Sequence, residues 1–250
     1  MDIPGAALLC VLAVLGAGLQ RISGMGFALT VAPFAVVVAG PGGGIAVVNA
    51  CSALLAAVLT VHLRQSIDLR RAAVLTCFGI VGVGAGALMA RVVPGAWLEI
   101  VIGVLVIASI LLVSRPRLPG ARTRGGGTVD AGLASGFMSV TAGISGPPLA
   151  LYAVATGWEP QRFAATVQPV FLVLGATSFA TKVLVPRGAL DGSVNGMLLA
   201  AVAAAALCGA ALAGTLARII RAAVARRILL LVSAVGGLLV LGRGAGDLLS

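Results

Sequence analysis

The feature that most constrains this chain is an alternation of long apolar runs with short polar breaks, sustained from end to end. The runs cover 4–19, 26–39, 44–63, 72–90, 97–113, 130–142, 147–156, 163–185, 193–217 and 224–241. They are continuous and do not alternate inward and outward residues, so they predict helices rather than barrel strands. Hydrophobic residues make up 60% of the 250 residues, charged residues 10%, and the mean hydropathy is +1.15. A soluble fold of this size cannot hide so much apolar surface, and a disordered chain needs low hydrophobicity. The sequence therefore predicts an all-α, polytopic integral membrane protein of about 8–10 helical segments, with the lipid bilayer as its first partner. The opening Met1-Asp2-Ile3-Pro4 lacks a basic stretch before the first run, which is thus expected to belong to the mature protein.

Seventeen Lys and Arg face seven Asp and Glu. In a soluble protein that excess would suggest nucleic acid. Here the arginines sit in short breaks between apolar runs, as in cytoplasmic loops of membrane proteins, and no nucleic-acid partner is expected. Arg64, Arg70 and Arg71 mark one such break, Arg115, Arg117, Arg122 and Arg124 a second, and Arg218, Arg221, Arg226 and Arg227 a third. Breaks 41–44, 91–96 and 186–192 are expected outside, together with the C-terminus. Corresponding breaks of the two halves then fall on opposite sides. This predicts two inverted repeats, 1–114 and 130–250, joined by a basic cytoplasmic linker, 115–129. Each repeat is a broken helix pair followed by three long helices, a common plan for secondary transporters.

The two broken pairs hold the candidate chemistry. The first breaks at Gly24-Met25-Gly26-Phe27 and the second at Thr141-Ala142-Gly143-Ile144-Ser145-Gly146-Pro147-Pro148. A backbone that breaks inside a membrane frees N–H groups that must find partners. A half-helix starting there points a positive dipole end inward, a ready anion site. Gly24, Gly26, Gly143 and Gly146 are therefore expected at a substrate site, with amides of Gly26 and Gly146 and hydroxyls of Thr141 and Ser145 as donors. Asn49 and Ser52 are one helical turn apart, and Gln168 opens the matching helix of half two. All three are added to the site, with interhelical hydrogen bonding as the competing role. Gly82 and Gly86 are expected to serve close helix packing.

The remaining polar residues limit the chemistry. No Asp or Glu lies mid-span, which argues against a carboxylate-based cation transporter. Glu99, Asp130 and Asp191 are expected at solvated helix ends. Arg21 should snorkel to the cytoplasmic edge, and Lys182 should anchor at the interface or reach an external vestibule. Cys10, Cys51, Cys77 and Cys208 sit singly in apolar runs with one histidine, His62, so they are expected to be small buried hydrophobes and not metal ligands. Without a nucleophile elbow, Walker motif or metalloprotease signature, no catalytic residue, cofactor or metal is expected.

Gly24-Met25-Gly26-Phe27-Ala28-Leu29 through Pro33, and Ser135 through Leu149, resemble the paired signatures of the TauE/SafE sulfite-exporter family, formerly a DUF81 type. Asn49 to Leu55 resembles the polar start of its next helix, and Gly82 to Leu112 its glycine-rich helix and following span. The resemblance covers nearly the whole chain. It departs where Phe27-Ala28 and Pro147-Pro148 interrupt the glycine runs of other members. It implies a multi-pass permease of the cell (inner/plasma) membrane that moves sulfite, sulfonates or related organic anions. The expected function is a secondary transporter of a small anion, with an anion channel as the alternative and a membrane assembly subunit third. A homo-oligomer is left open.

Overall fold

The structure, a computed structural model, describes residues 3–114, 127–184, 196–219 and 222–249. Among these it is helical with no strand. The helices are α1 (Ile3–Ser23), α2 (Phe27–Leu63), α3 (Leu69–Val92), α4 (Gly95–Ser114), α5 (Gly127–Ala142), α6 (Gly146–Thr156), α7 (Pro160–Leu184), α8 (Gly196–Ile219) and α9 (Ala222–Leu249). Six of them are long and apolar enough to cross a membrane, within α1, α2, α3, α7, α8 and α9. Large apolar side chains such as Val61, Leu88, Leu151, Leu212 and Leu231 stay on the outside. In water that surface would drive aggregation; in a bilayer it is the lipid face. The fold is that of an all-α polytopic membrane protein.

Each broken pair folds back on itself. The start of α1 meets the far end of the next helical stretch, where a Cβ on Gly5 would lie 3.2 Å from Val38. The start of α5 meets the end of α6 through a 2.8 Å hydrogen bond from Thr128 to the Tyr152 hydroxyl. The tips of these hairpins are Gly24–Gly26 and Gly143–Ser145. Gly24 (φ 82), Gly26 (φ 155) and Gly143 (φ 72) take backbone angles that side chains oppose, which is why glycine stands there.

The hairpins are held by exchange between the halves. α3 packs along α5 and α1 along α8, α4 lies against α9, and α2 against α7. Glycines make the close approaches. A Cβ on Gly82 would strike the Leu133 carbonyl, one on Gly136 the Gly79 carbonyl, and one on Gly209 the Val14 carbonyl. Gly86 is closed by Val140, 2.6 Å from its missing Cβ. Gly82 and Gly86 are thus packing positions, as small residues are in membrane helices generally.

Four expectations are corrected. Segment 41–44 is helical rather than a loop: the expected break between the two runs lies at Gly40 (φ 73, ψ 169), where two helices meet within α2, and Gly42, Gly43 and Gly44 are buried. Glu99 is 4% exposed rather than solvated, because Arg243 of α9 lies 3.8 Å from one of its oxygens. Lys182 is also 4% exposed and anchors at no interface. Of the cysteines, Cys51 is buried and Cys10 partly so, whereas Cys77 and Cys208 are exposed on the outer surface. Asp130 is exposed, as expected. The linker up to residue 126 and Asp191 lie outside the described residues.

Candidate substrate site

The two hairpin tips meet in the interior. Between them lies a small cavity lined by Gln20, Met25, Gly26, Ala28, Leu29, Ser52, Ile144, Ser145, Gly146 and Phe171. It has room for about one water molecule. Its lining carries hydroxyls and a carboxamide and no formal charge.

The first tip supplies the strongest electrostatics. Gly26 caps α2 without a side-chain hydrogen bond. The first closing bond runs from the Thr30 amide to the Gly26 carbonyl at 3.0 Å, and the Thr30 hydroxyl adds a second donor to that carbonyl. The amides of Phe27, Ala28 and Leu29 are therefore the unpaired donors of the first turn. They sit at the positive end of the helix dipole, equivalent to roughly half a charge. The Gly26 amide expected in this role is also unpaired, and the Phe27, Ala28 and Leu29 amides join it. The second tip is poorer. Pro147 and Pro148 occupy the first turn of α6 and bring no N–H, which leaves the amides of Ser145 and Gly146, two residues that line the cavity.

The remaining predicted site residues fall in two groups. Gly26, Ser52, Ser145 and Gly146 line the cavity. Gly24, Asn49, Thr141, Gly143 and Gln168 do not, and each has a structural role. Gly24 abuts Ala164, whose Cα lies 2.6 Å from where a Cβ would stand. Gly143 packs near Ile45 and Val48. Thr141 donates to the Phe137 carbonyl of its own helix at 2.7 Å. Asn49 donates to the Ser139 carbonyl of α5 at 3.1 Å. Gln168 donates to the Gly24 carbonyl at 3.0 Å and accepts from Gln20 at 3.1 Å.

These last bonds are reciprocal. Gln20, Gly24, Gly26 and Asn49 precede Ser139, Gly143, Ser145 and Gln168 by the same number of residues. Asn49 and Gln168 thus hold corresponding places, and each sends its amide across to the hairpin of the other half. Sequence reasoning missed Gln20, a carboxamide 2% exposed on the cavity wall; its signal was a polar residue at the end of an apolar run. It also missed Met25, Ala28, Leu29, Ile144 and Phe171, which nothing in the sequence separates from core. Arg21 donates to the Ala210 carbonyl of α8 and does not enter the cavity.

Comparison with known proteins gives one match over most of the chain. The family described as sulfite exporter TauE/SafE matches residues 9–240. No curated protein and no solved structure matches.

Proposed function

Given that this chain belongs to the TauE/SafE sulfite exporter family, a family of membrane transporters and not enzymes, we propose that it is a secondary transporter of a small anion in the cell membrane. The substrate class is sulfite, sulfonates or related organic anions. The anion binds near midplane between the two tips, against the Phe27, Ala28 and Leu29 amides, with Gly146, Ser52, Ser145 and Gln20 completing the site.

The observation that carries this is the pair of hairpin tips converging on one uncharged polar cavity, with an unpaired helix start on its wall. Neutral donors and helix ends can balance roughly one negative charge without a buried arginine. They offer a cation nothing comparable. The cavity has room for about one water, so it must widen to load an oxyanion.

The two repeats are 1–114 and 130–250, joined by the basic linker 115–129, and they are inverted in the membrane. The swapped pairings α3 with α5 and α1 with α8, and the reciprocal amides of Asn49 and Gln168, are what a twofold axis in the membrane plane would produce. Alternating access follows from one repeat rocking against the other.

Purified protein in liposomes, loaded with radiolabelled sulfite, a sulfonate, acetate or a neutral sugar, tests the proposal. Saturable anion flux that exchanges against a gradient is expected. Flux linear in concentration would make it a channel, and transport of the sugar or of sodium alone would overturn anion recognition.

A further inference from the structure

The midplane site leaves one buried basic group unexplained. Lys182 is the sole lysine of the chain. It lies on α7, 4% exposed, and its Nζ has no hydrogen-bond partner among the described residues. An ammonium carries three donors and no acceptor, so it asks for an anion. Burying one unpaired is costly, and packing alone would favour an apolar side chain there.

Its surroundings lead back to the cavity. Phe171, Gly175, Ser178 and Lys182 follow helical spacing and share one face of α7, and Phe171 lines the cavity. Ser178 donates to the Ser139 hydroxyl at 3.0 Å. Ser135, one turn before Ser139 on α5, donates to the carbonyl of Ser145 at 2.6 Å, and Ser145 again lines the cavity. A buried line of hydroxyls therefore runs between α5 and α7 from the cavity wall to Ser178, one helical turn before Lys182. The level of Lys182 follows from the α2–α7 contacts. Thr166 accepts from the Asp68 amide, and Gly175 packs on Asn49 and Ala53, so α7 runs antiparallel to the second part of α2. Two turns further along, Lys182 reaches the height at which α2 restarts after Gly40.

We propose that Lys182 marks a second anion site, one helical turn beyond the buried Ser139–Ser178 pair, a waiting position for a small oxyanion between the midplane cavity and the C-terminal end of α7. This rests on the anion-transport reading for the identity of the ligand, and the test separates the two.

Full-length protein is reductively methylated with carbon-13 formaldehyde, which marks the Lys182 amine and the chain's α-amino group. The Lys182 methyl signal is followed by NMR during titration with sodium sulfite, sodium acetate and, as control, sucrose. A saturable shift with the anions and none with sucrose is expected, in the wild type and also in a Ser52→Ala/Ser145→Ala variant of the midplane cavity. Lys182→Met should reduce sulfite flux about tenfold or more while melting no lower than wild type, and Lys182→Arg should keep at least half the flux. A Lys182 amine that never reacts, a signal unmoved by both anions, a shift lost in the midplane variant, or wild-type flux in Lys182→Met would each overturn the second site. Normal flux in the midplane variant, with the Lys182 results as expected, would instead overturn the midplane site alone.

Discussion

Gly26 and Ser145 occupy corresponding places at the two tips, yet the chain tolerates a side chain at only one of them. Ser145 has ordinary helical angles (φ −102, ψ −14), whereas Gly26 sits at φ 155, with Leu19 2.9 Å from where its Cβ would be. Gly26→Ala should therefore both strain the tip and shift the unpaired amides, abolishing sulfite flux. Gly146 differs: a Cβ there would meet Met25 at 3.5 Å, an ordinary contact. Gly146→Ala should fold normally but fill a cavity with space for about one water, lowering flux several-fold. Gly86→Val, by contrast, forces Val140 and Phe137 aside and should cost about 1–3 kcal/mol of stability, as overpacking does. Flux in liposomes and thermal melting separate the three; wild-type flux in Gly146→Ala would remove the second tip from the site. The glycines themselves were legible because backbone freedom is a local property. How many amides they liberate was not, because that depends on where the new helix starts, and the boundary adds Phe27, Ala28 and Leu29 to Gly26.

At the level of elements, the apolar runs were legible since bilayer thickness dictates their length. What joins them was not. The sequence placed a loop at 41–44 because Gly40-Pro41-Gly42-Gly43-Gly44 reads as a breaker; the break is there but confined to Gly40, and the second helix folds back with Gly44 against the Ala35 backbone. Partners distant in sequence were equally hidden. Gln168 joins α7 to the first hairpin through Gly24 and Gln20. Gln168→Leu leaves a buried carbonyl and carboxamide unpaired and should cost about 0.6–2 kcal/mol, the range for interhelical hydrogen bonds in membranes. Loosening the first tip in this way should lower flux further than the stability loss explains. A Gln20→Leu/Gln168→Leu double variant that melts no differently from the sum of the singles would show that the pair is uncoupled. The α4–α9 seam rests on Glu99, whose side chain is 5% exposed, and Arg243, 45% exposed, which also donates to the Val37 carbonyl at 2.7 Å. Arg243→Leu should lower the melting temperature by several degrees, since it strands a buried carboxylate, and adding Glu99→Leu should restore most of the loss. A double variant as unstable as the single would mean that Arg243 acts through Val37 alone.

For the whole molecule, the arginine pattern dictates a topology: reporter fusions within the 115–129 linker and at the C-terminus should report opposite compartments, and the same compartment for both would end the inverted-repeat proposal. The family and the helical membrane fold were both readable from sequence, because hydropathy and short glycine signatures survive without knowledge of contacts. The way α3 seats on α5 and α1 on α8 was not, because nothing local tells a small-residue face which partner it will meet. The two hairpins also differ in how they are mounted. The second runs into α7 through Gly157 and Trp158, and the Trp158 ring is gripped edge-on by Tyr152 and Phe163, with Arg71 of α3 lying 4.6 Å over it. The first runs into the rest of α2 through Gly40, whose missing Cβ would touch nothing within 4 Å. One joint is braced by side chains, the other by backbone packing, with Gly44 seated against the Ala35 carbonyl. Substitution reaches these supports by different routes: trimming the Trp158 ring would loosen the second hairpin's joint, whereas any Cβ at position 44 would jam the first's.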